Sequence, residues 1–183
     1  MNRKILLIGG ARSGKSNYAE ELAKECGGEV LFVATAEAGD EEMRKRIAAH
    51  QKSRPDDWRT LEAPTNVGKA IAEDINSKDT IIFDCVTLLV TNILCRHMSS
   101  ASDCINEELF EAEVKKEIDG LIGLMEVNDT SYILVTNEVG EGIIPIGAAT
   151  RAYRDALGRA NQQLAKACSE VYLMVAGIPL KIK

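Results

Sequence analysis

At 183 residues the chain is long enough for one sizeable core and short for two, so a single domain is expected. A net charge of −6 and an isoelectric point near 5.1 argue against a general binder of nucleic acid or of an anionic membrane, since both need a positive field, although a local basic pocket for a nucleotide stays allowed. No apolar run approaches the roughly 20 residues that span a bilayer, and residues 1–4 lead straight into a core strand, so the expected location is cytoplasmic.

The first strand, Ile5-Leu6-Leu7-Ile8, runs into Gly9-Gly10-Ala11-Arg12-Ser13-Gly14-Lys15-Ser16, which fills every fixed position of the Walker A pattern G-x-x-x-x-G-K-[ST]. Gly9 and Gly14 are expected to take left-handed torsions so that successive N–H groups point at phosphate oxygens. Lys15 would bridge the β- and γ-phosphates, and the Ser16 hydroxyl would ligate Mg²⁺. Tyr18, Leu22 and Ala23 follow at helical spacing, which supplies the strand-loop-helix context and a helix dipole behind the loop. A glycine-rich turn that merely contains Lys-Ser explains the composition but not this placement.

Gly27 and Gly28 end the helix, and residues 30–34 read as a strand buried on both faces. Its carboxyl end, 35–39, is a second candidate for nucleotide contact, because open α/β sheets bind ligands at that edge. Asp40 is placed to cap a helix over about 41–51, on which Met43, Ile47 and His50 share one face. His50 is therefore expected to face the protein body, with Lys52 and Arg54 beside it before Pro55.

Residues 58–62 suggest a short strand, and 67–75 a helix capped by Thr65 or Asn66. The apolar run 80–83 ends in Asp84, the form of a Walker B strand whose carboxylate holds Mg²⁺ directly or through water. Capping of the helix that starts near Thr87 is the competing role; beside a Walker A loop the metal role is preferred. A helix over 87–96, an exposed loop over 97–106 and an amphipathic helix over 107–127 follow, the last with no assigned chemistry. Residues 131–136 form the next strand, and its tip carries Asn137 and Glu138 before a glycine-rich turn. That turn has a structural explanation, yet the two polar residues favour a functional one. On the helix expected over 151–168, Arg151, Arg154 and Arg159 are candidates for a phosphate contact, although a solvated face accounts for most of them. Strand 171–175 then leads through Gly177 to an edge strand over 178–183.

Repeated βα units imply an α/β fold of the P-loop NTPase type: a mainly parallel central sheet, helices on both faces, and a candidate antiparallel edge strand at the C-terminus. The five cysteines, Cys26, Cys85, Cys95, Cys104 and Cys168, form no C-x-x-C pair and suit reduced, mostly buried thiols. From residue chemistry alone, a small-molecule kinase, a regulatory ATPase and a GTP-dependent switch all stay open. His50 separates them: an imidazole with a pKa of about 6.5 is mostly neutral at pH 7 and can serve as nucleophile or base, whereas a core histidine satisfied by one backbone bond would have no chemistry.

Six blocks together, Gly-Gly-Ala-Arg-Ser-Gly-Lys-Ser (9–16), Val-Ala-Thr (33–35), Glu-Met-x-x-Arg-Ile-x-x-His (42–50), Arg-Pro-x-x-Trp-Arg-Thr (54–60), Val-Thr-Asn-Glu-Val-Gly (135–140) and Lys-Ile-Lys (181–183), resemble the bifunctional adenosylcobinamide kinase/adenosylcobinamide-phosphate guanylyltransferase family. The resemblance runs from the first strand to the last residue. It implies phosphorylation of adenosylcobinamide with ATP or GTP, then transfer of GMP from GTP through a GMP-histidine intermediate on His50. It also implies that Gly9, Gly10, Ala11, Arg12, Ser13, Gly14, Lys15 and Ser16 hold the triphosphate, that Ala34, Thr35 and Ala36 approach the nucleotide, and that Gln51, Lys52, Ser53 and Arg54 bind GTP beside His50. Glu62 and Asp84 fall on further nucleotide contacts, with Ser16 and Asp84 as the Mg²⁺ ligands. A corrinoid substrate and a homotrimer are the implied partners.

Overall fold

The structure is a computed structural model that describes residues 2–37, 41, 44–45, 54–75, 79–98 and 105–183. Its seven strands are β1 (Lys4–Gly9), β2 (Glu29–Ala34), β3 (Arg59–Glu62), β4 (Asp79–Asp84), β5 (Ser131–Asn137), β6 (Glu170–Val175) and β7 (Ile178–Lys181), arranged β3-β2-β4-β5-β1-β6-β7. All neighbours pair in parallel except β6 and β7, which form an antiparallel hairpin at one edge. Five helices are described: α1 (Lys15–Cys26), α2 (Val67–Asp74), α3 (Val86–His97), α4 (Glu107–Val127) and α5 (Ala148–Ala167).

The central strands β1, β2, β4 and β5 carry continuous apolar runs because both faces of the sheet are covered there. Side chains alternate across a strand, and this period of two sorts the core into two layers. Leu6, Leu31, Val33, Ile81, Phe83, Tyr132 and Leu134 meet residues of α2, α3, α4 and α5 on one face. Ile5, Leu7, Val30, Phe32, Ile82, Ile133 and Val135 meet Ala19, Leu22 and Ala23 of α1 on the other. These residues are buried, so each large aliphatic side chain contributes about 1.5–3 kcal/mol through its burial.

Several local expectations are corrected. Neither Thr65 nor Asn66 caps α2 through its side chain: Asn66 sits in a left-handed conformation at φ 53, and its N–H and that of Val67 donate to the Glu117 carboxylate of α4, at 3.0 Å for Val67. A long-range carboxylate thus supplies the negative charge that the helix N-terminus favours. Asp84 is not a cap either, since α3 starts after Cys85. That helix runs on to His97, whose Nε2 lies 2.7 Å from Glu113 of α4. Helix α5 starts at Ala148 instead of residue 151, with the carbonyls of Pro145 and Ile146 held by Arg151. Of the described cysteines, Cys85 and Cys168 are buried, Cys26 is half-buried and Cys95 is exposed; Cys104 lies outside the described residues.

Register brings the strand tips to one edge. Gly9 is level with Asn137, Val135 with Asp84, and Ala34 with both Asp84 and Glu62. Five parallel strands therefore end at the same side of the sheet, where their connections to helices leave a crevice. Among the described residues no helix is long and apolar enough to cross a membrane.

Candidate active site

The loop between β1 and α1 has little freedom. Gly14 takes φ 93, and a Cβ there would lie 2.9 Å from the Gly177 Cα, so both conformation and space demand glycine. Gly9 differs from expectation: at φ 159 it is close to extended, and its lack of a side chain matters because a Cβ would stand 2.5 Å from the Met174 carbonyl oxygen. Gly14 thus meets the expectation of a left-handed torsion, and a second one in the loop falls on Arg12, at φ 58. Gly177 N–H donates to the Ser13 carbonyl at 2.9 Å, which ties the β6–β7 turn to the loop.

Lys15 is 7% exposed, and its ammonium donates to the carbonyls of Gly9 at 3.1 Å and Gly10 at 2.6 Å. Burial lowers its pKa, partly opposed by Cys85 and the carboxylate of Asp84. Ser16 Oγ donates to Asp84 Oδ2 at 2.8 Å, so the hydroxyl of the loop and the acid at the tip of β4 share one spot. These oxygens are hard donors, the type that Mg²⁺ takes from a protein while phosphates and waters complete its octahedron.

A cavity of about 690 Å³ opens over this pair. Ala11, Arg12, Ser13, Gly14, Lys15 and Ser16 line it from the loop, while Ala34, Ala36, Arg54, Glu62 and Asp84 reach it from elsewhere in the chain. The sheet edge thus brings together most of the expected site residues that are described. Gly9 and Gly10 stand behind the loop, where they hold Lys15. Thr35 points away: fully buried, its hydroxyl donates to the Cys85 carbonyl and accepts from the Cys85 N–H, each at 2.8 Å. His50, Gln51, Lys52 and Ser53 lie outside the described residues, as does most of the helix expected over 41–51.

Arg54 packs its guanidinium 3.4 Å from the centre of the Phe32 ring. Burial lowers its pKa, against the pull of Asp84, Glu20 and Glu62, yet an arginine so placed keeps its charge and directs it into the cavity. The other candidate arginines are occupied at the surface. Arg151 holds carbonyls of the preceding loop, Arg154 pairs with Asp155 at 3.0 Å, and Arg159 pairs with Glu111. None of them lines the cavity.

Sequence reasoning did not single out Asn17, Phe32, Thr87, Leu88 and Val135, which also form the walls. Nor did it find Asn92 on α3, whose side-chain amide donates to the Thr35 carbonyl at 2.8 Å and to the Pro64 carbonyl at 3.0 Å. One side chain thereby joins the segments that carry Ala36 and Glu62. Thr87 had a local signal, three residues beyond an acidic strand tip; Asn92 had none.

The comparisons with known proteins agree with one another. The family model described as cobinamide kinase / cobinamide phosphate guanyltransferase matches residues 5–182. The chain is 42% identical over 180 residues to the bifunctional adenosylcobalamin biosynthesis protein CobU of Escherichia coli (strain K12), covering 98% of this chain and 99% of that one. It is 41% identical to the protein of the same name from Salmonella typhimurium, at 98% and 99% coverage, and 40% identical to CobP of Pseudomonas aeruginosa, at 97% and 96%. Among solved structures, the ATPase of a type III secretion system superposes with a TM-score of 0.57 at 12% identity, covering 94% of this chain and 52% of that one. A Pyrococcus horikoshii OT3 protein gives 0.54 at 7% identity, covering 99% and 86%. At such identities these two superpositions speak for the fold alone.

Proposed function

This chain belongs to the cobinamide kinase / cobinamide phosphate guanyltransferase family, and from that premise we propose how its residues divide the two reactions. The observation that carries the reading is the joint placement of Lys15, Ser16, Asp84 and Arg54 around one cavity at the end of the sheet. In the kinase step the Walker loop binds ATP or GTP and presents the γ-phosphate to the hydroxyl on the aminopropanol arm of adenosylcobinamide. Lys15, held on a short leash by the Gly9 and Gly10 carbonyls, offers a desolvated cation to the phosphates, where water exclusion strengthens it. Ser16 and Asp84 would hold Mg²⁺, which neutralises phosphate charge and orients the nucleotide when bound.

In the guanylyltransferase step, His50 attacks the α-phosphate of GTP. A nitrogen–phosphorus bond forms, the bond to the β-phosphate breaks, and pyrophosphate leaves. The phosphate of adenosylcobinamide phosphate then attacks the bound GMP, giving adenosylcobinamide-GDP and freeing the imidazole. Arg54 lies four residues after His50 and already faces the cavity, so it can counter charge at the α-phosphate. Lys52 would add a second cation, with Gln51 and Ser53 beside it. The assembly that performs both steps is proposed to be a homotrimer of single-domain subunits.

Intact-protein mass after incubation with GTP and Mg²⁺ tests the covalent step. The wild type is expected to gain the mass of GMP, and the adduct is expected to be acid-labile and absent from His50→Ala. Unmodified wild-type protein that nevertheless binds GTP would sink the histidine mechanism and leave only the kinase.

A further inference from the structure

We propose that the side-chain amide of Asn137 is a catalytic contact of the kinase step, donating from Nδ2 to an oxygen of the phosphoryl group while it passes from nucleotide to acceptor. The inference rests on the kinase reading above and adds a residue to it. Asn137 ends β5, the strand that separates β1, which enters the Walker loop, from β4, which ends at Asp84. In register, Gly9 is level with Asn137, while Asp84 is level with Val135. Asn137 therefore stands two residues beyond the acid, roughly 7 Å further along the strand direction. Val135 and Asn137 point to the same side, and both line the cavity with Lys15, Ser16 and Asp84. This puts the Asn137 side chain in the cavity wall further along the strand direction than Asp84.

The backbone of Asn137 is fixed by side chains recruited from two helices. Its N–H donates to Thr87 Oγ1 of α3 at 2.8 Å, and its carbonyl accepts from Asn161 Nδ2 of α5 at 3.1 Å. Asn161 is itself buried, and its Oδ1 accepts from Thr136 Oγ1 at 2.7 Å. Glu138 N–H donates to the Gly9 carbonyl at 3.1 Å, so the residue after Asn137 is pinned to the Walker loop. With both backbone groups paired, the amide is the one polar group of Asn137 left for the cavity, and it has no hydrogen-bond partner among the described residues. A polar side chain carried on so constrained a peptide is preorganised. Donors of this kind accelerate reactions because they need no reorientation as charge spreads over the phosphoryl oxygens.

In the step itself, the acceptor oxygen bonds to the γ-phosphorus and the bond to the β-phosphate oxygen breaks. The electron pair leaves with the nucleoside diphosphate, and the hydroxyl proton passes to solvent. Asn137 exchanges no proton and acts only as a donor. Being neutral, it adds no positive charge that would hold the diphosphate product.

The test compares the full-length wild type, Asn137→Ala and Asn137→Asp in phosphorylation of cobinamide with ATP and with GTP. Both substitutions leave the backbone bonds to Thr87 and Asn161 in place, so thermal midpoints close to wild type are expected. For Asn137→Ala, kcat should fall about 100-fold with the nucleotide KM little changed, the pattern for a contact made in the transition state. Asn137→Asp keeps the shape, lacks the donor and repels phosphoryl oxygens, so it should be at least as slow. A kcat near wild type in Asn137→Ala, an active Asn137→Asp, or a loss confined to the nucleotide KM would each overturn the proposal. If Asn137→Ala proves unstable, the isosteric Asn137→Asp decides alone. A wild type that phosphorylates no cobinamide would count against the kinase reading instead, and the same variants are then compared in hydrolysis of the γ-phosphate. There the same loss is expected, and equal rates would refute the role of Asn137.

Discussion

Ser16 and Asp84, 68 residues apart in the chain, meet through a 2.8 Å hydrogen bond in which the serine hydroxyl donates to the carboxylate. The bond joins the first turn of α1 to the tip of β4, across strand β5, which lies between β4 and β1 in the sheet. It fixes where a hard cation could sit relative to the Walker loop.

Asp84→Asn keeps this contact in shape but removes the charge. Both phosphoryl and guanylyl transfer are expected to need far more Mg²⁺, with metal affinity or activity lower by at least about 10–100-fold, the range seen when groups that only orient a metal's ligands are lost. Titration of activity with Mg²⁺ at saturating nucleotide checks this. An unchanged Mg²⁺ requirement would remove Asp84 from the metal site.

Asn92→Ala should uncouple the segments that carry Ala36 and Glu62. The Thr35 and Pro64 carbonyls lose their shared donor, at an expected cost of about 1–3 kcal/mol in denaturant unfolding. Nucleotide KM should rise while the remaining kcat changes less, because the loss concerns how the walls are held and not the transferring groups. Unaltered stability together with an unaltered KM would show that the clamp is idle.

At the opposite end of the sheet, Glu170 accepts from Arg3 at 2.8 and 3.0 Å, from Tyr172 at 2.7 Å and from Lys181 at 3.1 Å. These donors, Arg3 foremost, pull its pKa down to about 2 from an ordinary value of 4.5. A carboxylate depressed on folding stabilises the native state above its unfolded pKa, and that contribution is lost as pH falls towards the folded value. Thermal midpoints of the wild type should therefore drop between pH 4.5 and about 2 more steeply than those of Glu170→Gln. Parallel acid limbs would show that the cluster contributes nothing.

The features legible in the sequence are those written in consecutive residues. Residues 9–16 declare a phosphate loop because its glycines, lysine and serine must be neighbours, and the acid ending the apolar run at Asp84 is local in the same way. Asn137 drew notice as a polar residue at a strand tip, though nothing nearby in the chain revealed its partners. What the sequence withheld lies in contacts between distant segments. Asn92 and Asn161 read as ordinary helix residues, and Glu117 as one acid on a helix with no chemistry. Their roles exist only once α3, α5 and α4 pack against strand ends. Thr35 is the converse case: a motif residue at the right edge whose hydroxyl serves Cys85 instead of the cavity.

The tie between Gly177 and Ser13 has a consequence for the order of synthesis. The phosphate loop is made well before its back wall, the turn between β6 and β7, which lies some 160 residues later in the chain. Until that hairpin emerges and docks, the Ser13 carbonyl lacks its donor and Gly14 lacks the surface it is shaped against. Competence to grip a triphosphate thus waits for the β6–β7 hairpin, so that nucleotide is captured by an assembled sheet and not by a partial one.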